Sequence, residues 1–94
     1  MTTAFMRFTV DSYDTWKHVF DKNMSLRKAN GATAADVHRD AADSHAVIVA
    51  LKFKNMEAAK TFSESAELRS KMAESGVNGP PQVWFGEDIE HVAY

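Results

Sequence analysis

The sequence predicts an α+β fold of β-α-β-β-α-β order, the ferredoxin-like or split βαβ arrangement: a four-stranded antiparallel sheet with two helices on one face. Three observations carry that expectation. Apolar residues recur at helical spacing in two stretches, within residues 11–30 and 55–75. Four segments rich in β-branched and aromatic residues precede, separate and follow them. The two middle segments are joined by only a few residues, as the arms of a hairpin are. Together they make a single domain over residues 1–94.

Each element has its own cause. "AFMRFTV" (4–10) is a strand, too short for a helix. In "DSYD", Asp11 or Ser12 can accept the first free amides of a helix. Tyr13, Trp16, Phe20, Met24 and Arg27 then fall on one stripe, predicting one helix that ends at Asn30-Gly31. "ATAADVHRD" (32–40) and "HAVIVALKF" (45–53) pair as a hairpin across "AADS". Asn55 caps the second helix, whose stripe is Met56, Ala59 and Phe62. Leu68 and Met72 lie about 120° out of phase with that stripe, so a break is expected near residues 63–66, with Ser65 as the new cap.

The last joint, "GVNGPPQVWF" (76–85), holds both prolines and two of the four glycines. Gly76 is expected to close the helix in a left-handed conformation, and Gly79 to be extended before Pro80. Pro80 and Pro81 lack an N–H, so strand pairing is expected to begin only at Gln82.

Composition excludes several classes. Eleven basic and thirteen acidic residues give a net charge of −2 without a basic stripe, so no nucleic-acid partner is expected. Without cysteine there is no disulfide, thiol nucleophile or cysteine-based metal site. The longest apolar run, "AVIVAL", is far too short to cross a membrane, and "MTTAFMRFTV" lacks the pattern of a signal peptide. The expectation is a soluble, cytoplasmic protein.

The strands also point to a partner. A sheet with helices on one face exposes the other, and its central strand should then alternate apolar with polar. Residues 45–53 do not: Val47, Val49, Leu51 and Phe53 point one way, and Ala46, Ile48 and Ala50 the other. The first strand likewise sets Met6, Phe8 and Val10 against Phe5. A second copy packed sheet against sheet would cover that face.

With these elements in place, "DSYDTWKHVFD" with Arg27 and Gly31 after it, "VHRDAADSHAVIVALKF" and "FSESAELRSKMAESGVNGPPQVWF" carry a resemblance over residues 11–85. The chain resembles the dimeric α/β barrel proteins, in the branch of antibiotic-biosynthesis monooxygenases and polyketide-cyclase-like proteins. The resemblance implies a homodimer whose two sheets form a barrel, with a pocket in each protomer between sheet and helices. Haem-degrading relatives carry a histidine on the second helix and an asparagine on the first strand. This chain has neither, so haem is not expected.

His38, with Asp36 beside it, is the candidate general base. Such a pair takes a proton from a phenol or an activated methylene near neutral pH, which begins both aldol-type cyclisation and cofactor-free oxygenation. Arg7 stands among apolar neighbours, where it pairs with an acid across a dimer, faces a cavity to hold an anion or enolate, or is simply exposed at a strand end. Tyr13, Trp16, Phe20 and Trp84 make an aromatic wall for a flat substrate, or simply core. Which face His38 occupies depends on the hairpin register, and the same holds for whether Trp84 meets the pocket or a partner. His38 and His45 show no ligand-spacing motif, and no metal is expected. Arg27 reads as a cover for the end of the first helix, and Lys60, Glu64, Glu67, Arg69 and Lys71 as a solvated face. The function these residues fit is a small cofactor-independent enzyme of cyclase or monooxygenase type, acting on an aromatic or polyketide-like molecule. The alternative is a non-catalytic dimeric ligand-binding or accessory protein.

Overall fold

The computed structural model describes residues 1–94. Along the chain come β1 (Thr2–Val10), α1 (Tyr13–Lys22), α2 (Met24–Ala29), β2 (Ala32–Asp40), β3 (Asp43–Phe53), α3 (Met56–Ser63), α4 (Ala66–Glu74) and β4 (Val77–Glu87). The strands form one antiparallel sheet in the order β2-β3-β1-β4, which is the ferredoxin-like α+β fold that the sequence predicts.

Register sorts the side chains into two populations. Met6 lies opposite Val49 of β3 and Val83 of β4, and Val49 lies opposite Val37 of β2. Because side chains alternate along a strand, Met6, Phe8 and Val10 share the helix-covered face with Val47, Val49, Leu51 and Phe53. Trp16 of α1 and Ala59 and Phe62 of α3 close over them to complete the core. Burying each large apolar side chain contributes about 1.5–3 kcal/mol. The other face carries Phe5 and Arg7 of β1, Ile48 and Ala50 of β3, Asp36 and His38 of β2, and Trp84 of β4.

The caps follow the sequence closely. Ser12 accepts the Thr15 N–H at 3.3 Å, Asn55 the Ala58 N–H at 2.9 Å, and Ser65 the Leu68 N–H at 3.1 Å. The expected break in the second helix is present, between Ser63 and Ala66. The first helix is interrupted as well, where the apolar stripe predicts continuity. Asn23 donates its side-chain amide to the Val19 carbonyl at 2.7 Å, and its backbone leaves the helical region at φ −104°, ψ 23°. This is the ordinary competition of an asparagine side chain with the helix ladder, and α2 starts as a separate helix at Met24.

Two turns also differ from expectation. The hairpin loop is only Ala41 and Ala42, because Asp40 already pairs with Asp43 and its carboxylate accepts the Ala42 N–H at 2.8 Å. At the last joint, pairing does not wait for Gln82. Val77 pairs with Val10 and Asn78 with Thr9, and Gln82 resumes opposite Arg7, so Gly79, Pro80 and Pro81 form a bulge between those pairs. Residues without an N–H fit where the ladder is already broken. Gly79 is left-handed at φ +71° rather than extended, while Gly76 has the expected left-handed φ of +84°.

Beyond β4 the chain is tied back to β1. The Asp88 N–H donates to the Met1 carbonyl at 2.8 Å, and the Asp88 carboxylate accepts from the Thr3 hydroxyl at 2.6 Å and the Lys52 ammonium at 3.0 Å. No helix is long and apolar enough to cross a membrane.

Candidate functional site

A cavity of about 60 Å³, open to solvent at one side, lies between the helices and the covered face of the sheet. Its floor is Met6 and Phe8 of β1 with Val49 and Leu51 of β3. Its walls are Trp16 and Phe20 of α1, Leu26 of α2, Phe62 of α3, and Leu68 and Met72 of α4. Both halves of each interrupted helix line it: Phe20 with Leu26 and Arg27 around Asn23, and Phe62 with Leu68 and Met72 around Ser65. The enclosed volume is small beside the roughly 300–1,000 Å³ of full ligand pockets, so any ligand larger than a small ring extends through the mouth.

An aromatic cluster shapes the wall. Trp16 lies 5.5 Å from Phe8 at 51° and 4.9 Å from Phe20 at 28°, both within the range of favourable ring contacts. The Arg27 guanidinium sits over the Phe20 ring, 3.6 Å from its centroid, and donates to the Phe20 carbonyl at 2.6 Å. Burial lowers the Arg27 pKa, partly opposed by the negative charge of Asp21, yet a guanidinium stays protonated. The other polar lining groups are Asn23, Lys71 and Ser75. Asn23 and Ser75 are committed to backbone carbonyls, at Val19 and at Met72 (2.9 Å). Lys71 pairs with Glu74 at 3.4 Å. No histidine or carboxylate lines the cavity.

Of the residues singled out from the sequence, Trp16 and Phe20 line the cavity together. Tyr13 packs behind Trp16 at 5.9 Å and carries the Arg39 guanidinium 4.6 Å from its ring centroid, outside the lining. Trp84 is on the opposite face, stacked on Phe5 at 5.6 Å and 13°, and 46 % exposed. Asp36 and His38 are also on that opposite face, exposed, aligned with Ala50 and Ile48 of β3. Arg7 shares this face and pairs with Asp40 of its own chain at 3.3 Å. The sheet therefore separates His38, Asp36 and Arg7 from the cavity. A one-residue step in register decides this separation. His45 is exposed, its Nδ1 3.1 Å from the Val10 carbonyl, and no three His, Asp or Glu side chains converge.

Sequence reasoning passed over the mouth. Arg27 does cover the end of α1, as expected, but it also lines the cavity, and Lys71 lines it too rather than lying on a purely solvated face. The one available signal was the seven-residue spacing of Phe20 and Arg27, which places the cation two stripe positions, about two helical turns, beyond the ring.

No protein-family model matches the chain, and no curated protein matches it in sequence. Solved structures match it over nearly its whole length. The cofactor-independent oxygenase SnoaB from Streptomyces nogalater superposes with a TM-score of 0.75 at 10 % identity, covering 99 % of this chain and 97 % of that one. The monooxygenase of the gene ActVA-Orf6 of Streptomyces coelicolor, in complex with nanaomycin D, gives 0.69 at 21 % identity, covering 99 % and 91 %. A Nitrosomonas europaea protein described as a candidate antibiotic biosynthesis monooxygenase gives 0.71 at 15 % identity, covering 96 % and 100 %. At these identities the likeness is one of fold.

Proposed function

We propose that this protein is a small cofactor-independent oxygenase that takes a flat, electron-rich aromatic molecule into the cavity between helices and sheet. The observation that carries the reading is the cavity itself: an apolar, ring-walled pocket in a fold shared with a cofactor-independent oxygenase and a second monooxygenase. In such a reaction the substrate supplies the electrons. A ring methylene becomes a carbonyl, one atom of O2 entering the carbon and the other leaving as water with the two hydrogens. The protein's part is to hold the ring, exclude bulk water and favour the ionised substrate. Trp16, Phe20 and Phe8 would hold the ring. His38 is assigned no role, because the sheet stands between it and the cavity.

The test is oxygen uptake with anthrone-like and hydroquinone-like polyphenols, without added flavin or metal. Leu68→Trp, which fills the cavity, is expected to lower turnover on the order of a hundredfold, the scale of a misplaced reactant. Turnover unchanged by Leu68→Trp would remove the cavity from the reaction.

A second reading is favoured by the lining itself, which offers no carboxylate or imidazole to move a proton. In that reading the protein binds the same class of molecule without turning it over. Saturable binding with no oxygen uptake from any bound polyphenol decides for it.

The proposal includes a homodimer. Phe5 stacked on Trp84, with Ile48 and Ala50 beside them, leaves an apolar surface on the uncovered face of the sheet. A second copy placed sheet to sheet covers it.

A further inference from the structure

Resting on the small-molecule pocket proposed above, we infer that its ligand is an aromatic ring bearing an acidic oxygen, bound as an anion by the guanidinium of Arg27. The polar groups around the cavity are almost all spent: Asn23 and Ser75 on helix carbonyls, Lys71 on Glu74. Arg27 is different. A guanidinium has five N–H donors, and only one protein acceptor, the Phe20 carbonyl, engages it. It makes no salt bridge with any carboxylate of the chain. The nearest acid that influences it, Asp21, is exposed and already grips Lys17 at 2.6 and 2.8 Å.

Partial burial of a cation without a counter-charge is costly. The Phe20 face offsets part of that cost as a cation–π contact. It also holds the guanidinium plane against a ring that itself lines the cavity, so the donors left over stand beside the space a ligand would fill. Covering a helix end accounts for the one bond to Phe20 and for nothing more. A neutral ring entering the mouth would strip further water from Arg27 and return no acceptor. A ring carrying O⁻ replaces that water with a charge-assisted hydrogen bond, of the kind guanidinium makes best. The rest of the lining is apolar, which fits the ring of such a ligand. A carboxylate and a phenolate share this chemistry.

The experiment compares ligands of one shape and different charge by calorimetry. Benzoate is set against benzamide for the carboxylate arm, and 4-nitrophenol above and below its own ionisation for the phenolate arm. Wild-type protein is expected to prefer at least one anion over its neutral counterpart by roughly tenfold or more, the scale of one charge-assisted hydrogen bond. Which arm shows the preference identifies the source of the acidic oxygen. Arg27→Gln is expected to bring that ratio near one, and Arg27→Lys to keep part of it. The preferred anion should also weaken with added salt, and benzamide should not, a readout that needs no variant to fold. Benzamide binding with no preference for either anion, or a preference that survives Arg27→Gln, overturns the anion inference and leaves the pocket intact. Failure of every probe, benzamide included, to bind the wild type overturns the pocket reading and this inference with it.

Discussion

Two surface aspartates show how little burial a perturbed carboxylate needs. Asp40 is held below the usual carboxylate range first by the Ala42 N–H and then by the Arg7 guanidinium. Asp88 is held down first by the Thr3 hydroxyl and then by Lys52. A carboxylate whose folded pKa is depressed stabilises the fold above the ordinary aspartate value of about 3.9, and that contribution is lost as pH falls through the lowered folded value. Both contributions are therefore present at neutral pH and are lost only in strongly acidic solution. A carboxyl NMR titration should place the Asp88 midpoint below that of an unperturbed aspartate, and Thr3→Val should raise it. An Asp88 midpoint indifferent to Thr3→Val would mean that the hydroxyl does not hold the carboxylate. None of this was legible in the residues: Thr3 and Asp88 are at opposite ends of the chain, and only the pairing of β1 with β4 brings them together.

At the level of elements, the bulge at Gly79, Pro80 and Pro81 lets β4 pair with β1 on both sides of two residues that cannot donate. Gly79 has φ +71° and no atom within 4 Å of where a Cβ would stand. Gly79→Ala therefore tests backbone strain without a clash, and should cost about 1–2 kcal/mol in urea denaturation. A cost near zero would show that the bulge relaxes out of the left-handed region. Helix caps and the break at Ser65 were readable because they depend on short-range hydrogen bonds written in adjacent residues. The break at Asn23 was missed because the apolar stripe continues through it, and a stripe reports which face is buried, not whether the ladder is continuous. Residues from both sides of each break line the cavity, so Trp16 and Phe20 were legible as neighbouring aromatics, whereas the places of Arg27 and Lys71 in the lining were not. Likewise the face of His38 rested on a register that two alanines in a tight turn decide.

At the scale of the whole molecule, the sheet divides two kinds of surface. One side is closed by helices around the cavity, and the other presents Phe5, Ile48 and Trp84 to solvent in a single chain. If a second copy covers this face, light scattering should return twice the chain mass, and Ile48→Glu should shift the protein toward monomer by placing a desolvated charge at the contact. A wild-type protein that stays monomeric at high concentration would sink that reading. Strand β1 belongs to both sides at once. Met6 and Phe8 touch the cavity while Phe5 and Arg7, their immediate neighbours, face outward, so a displacement of this strand is felt on both. If a ligand fills the cavity and a second copy covers the outer face, occupancy and assembly share one lever, and linkage makes any influence mutual: a molecule that tightens association must itself be held more tightly by the associated form.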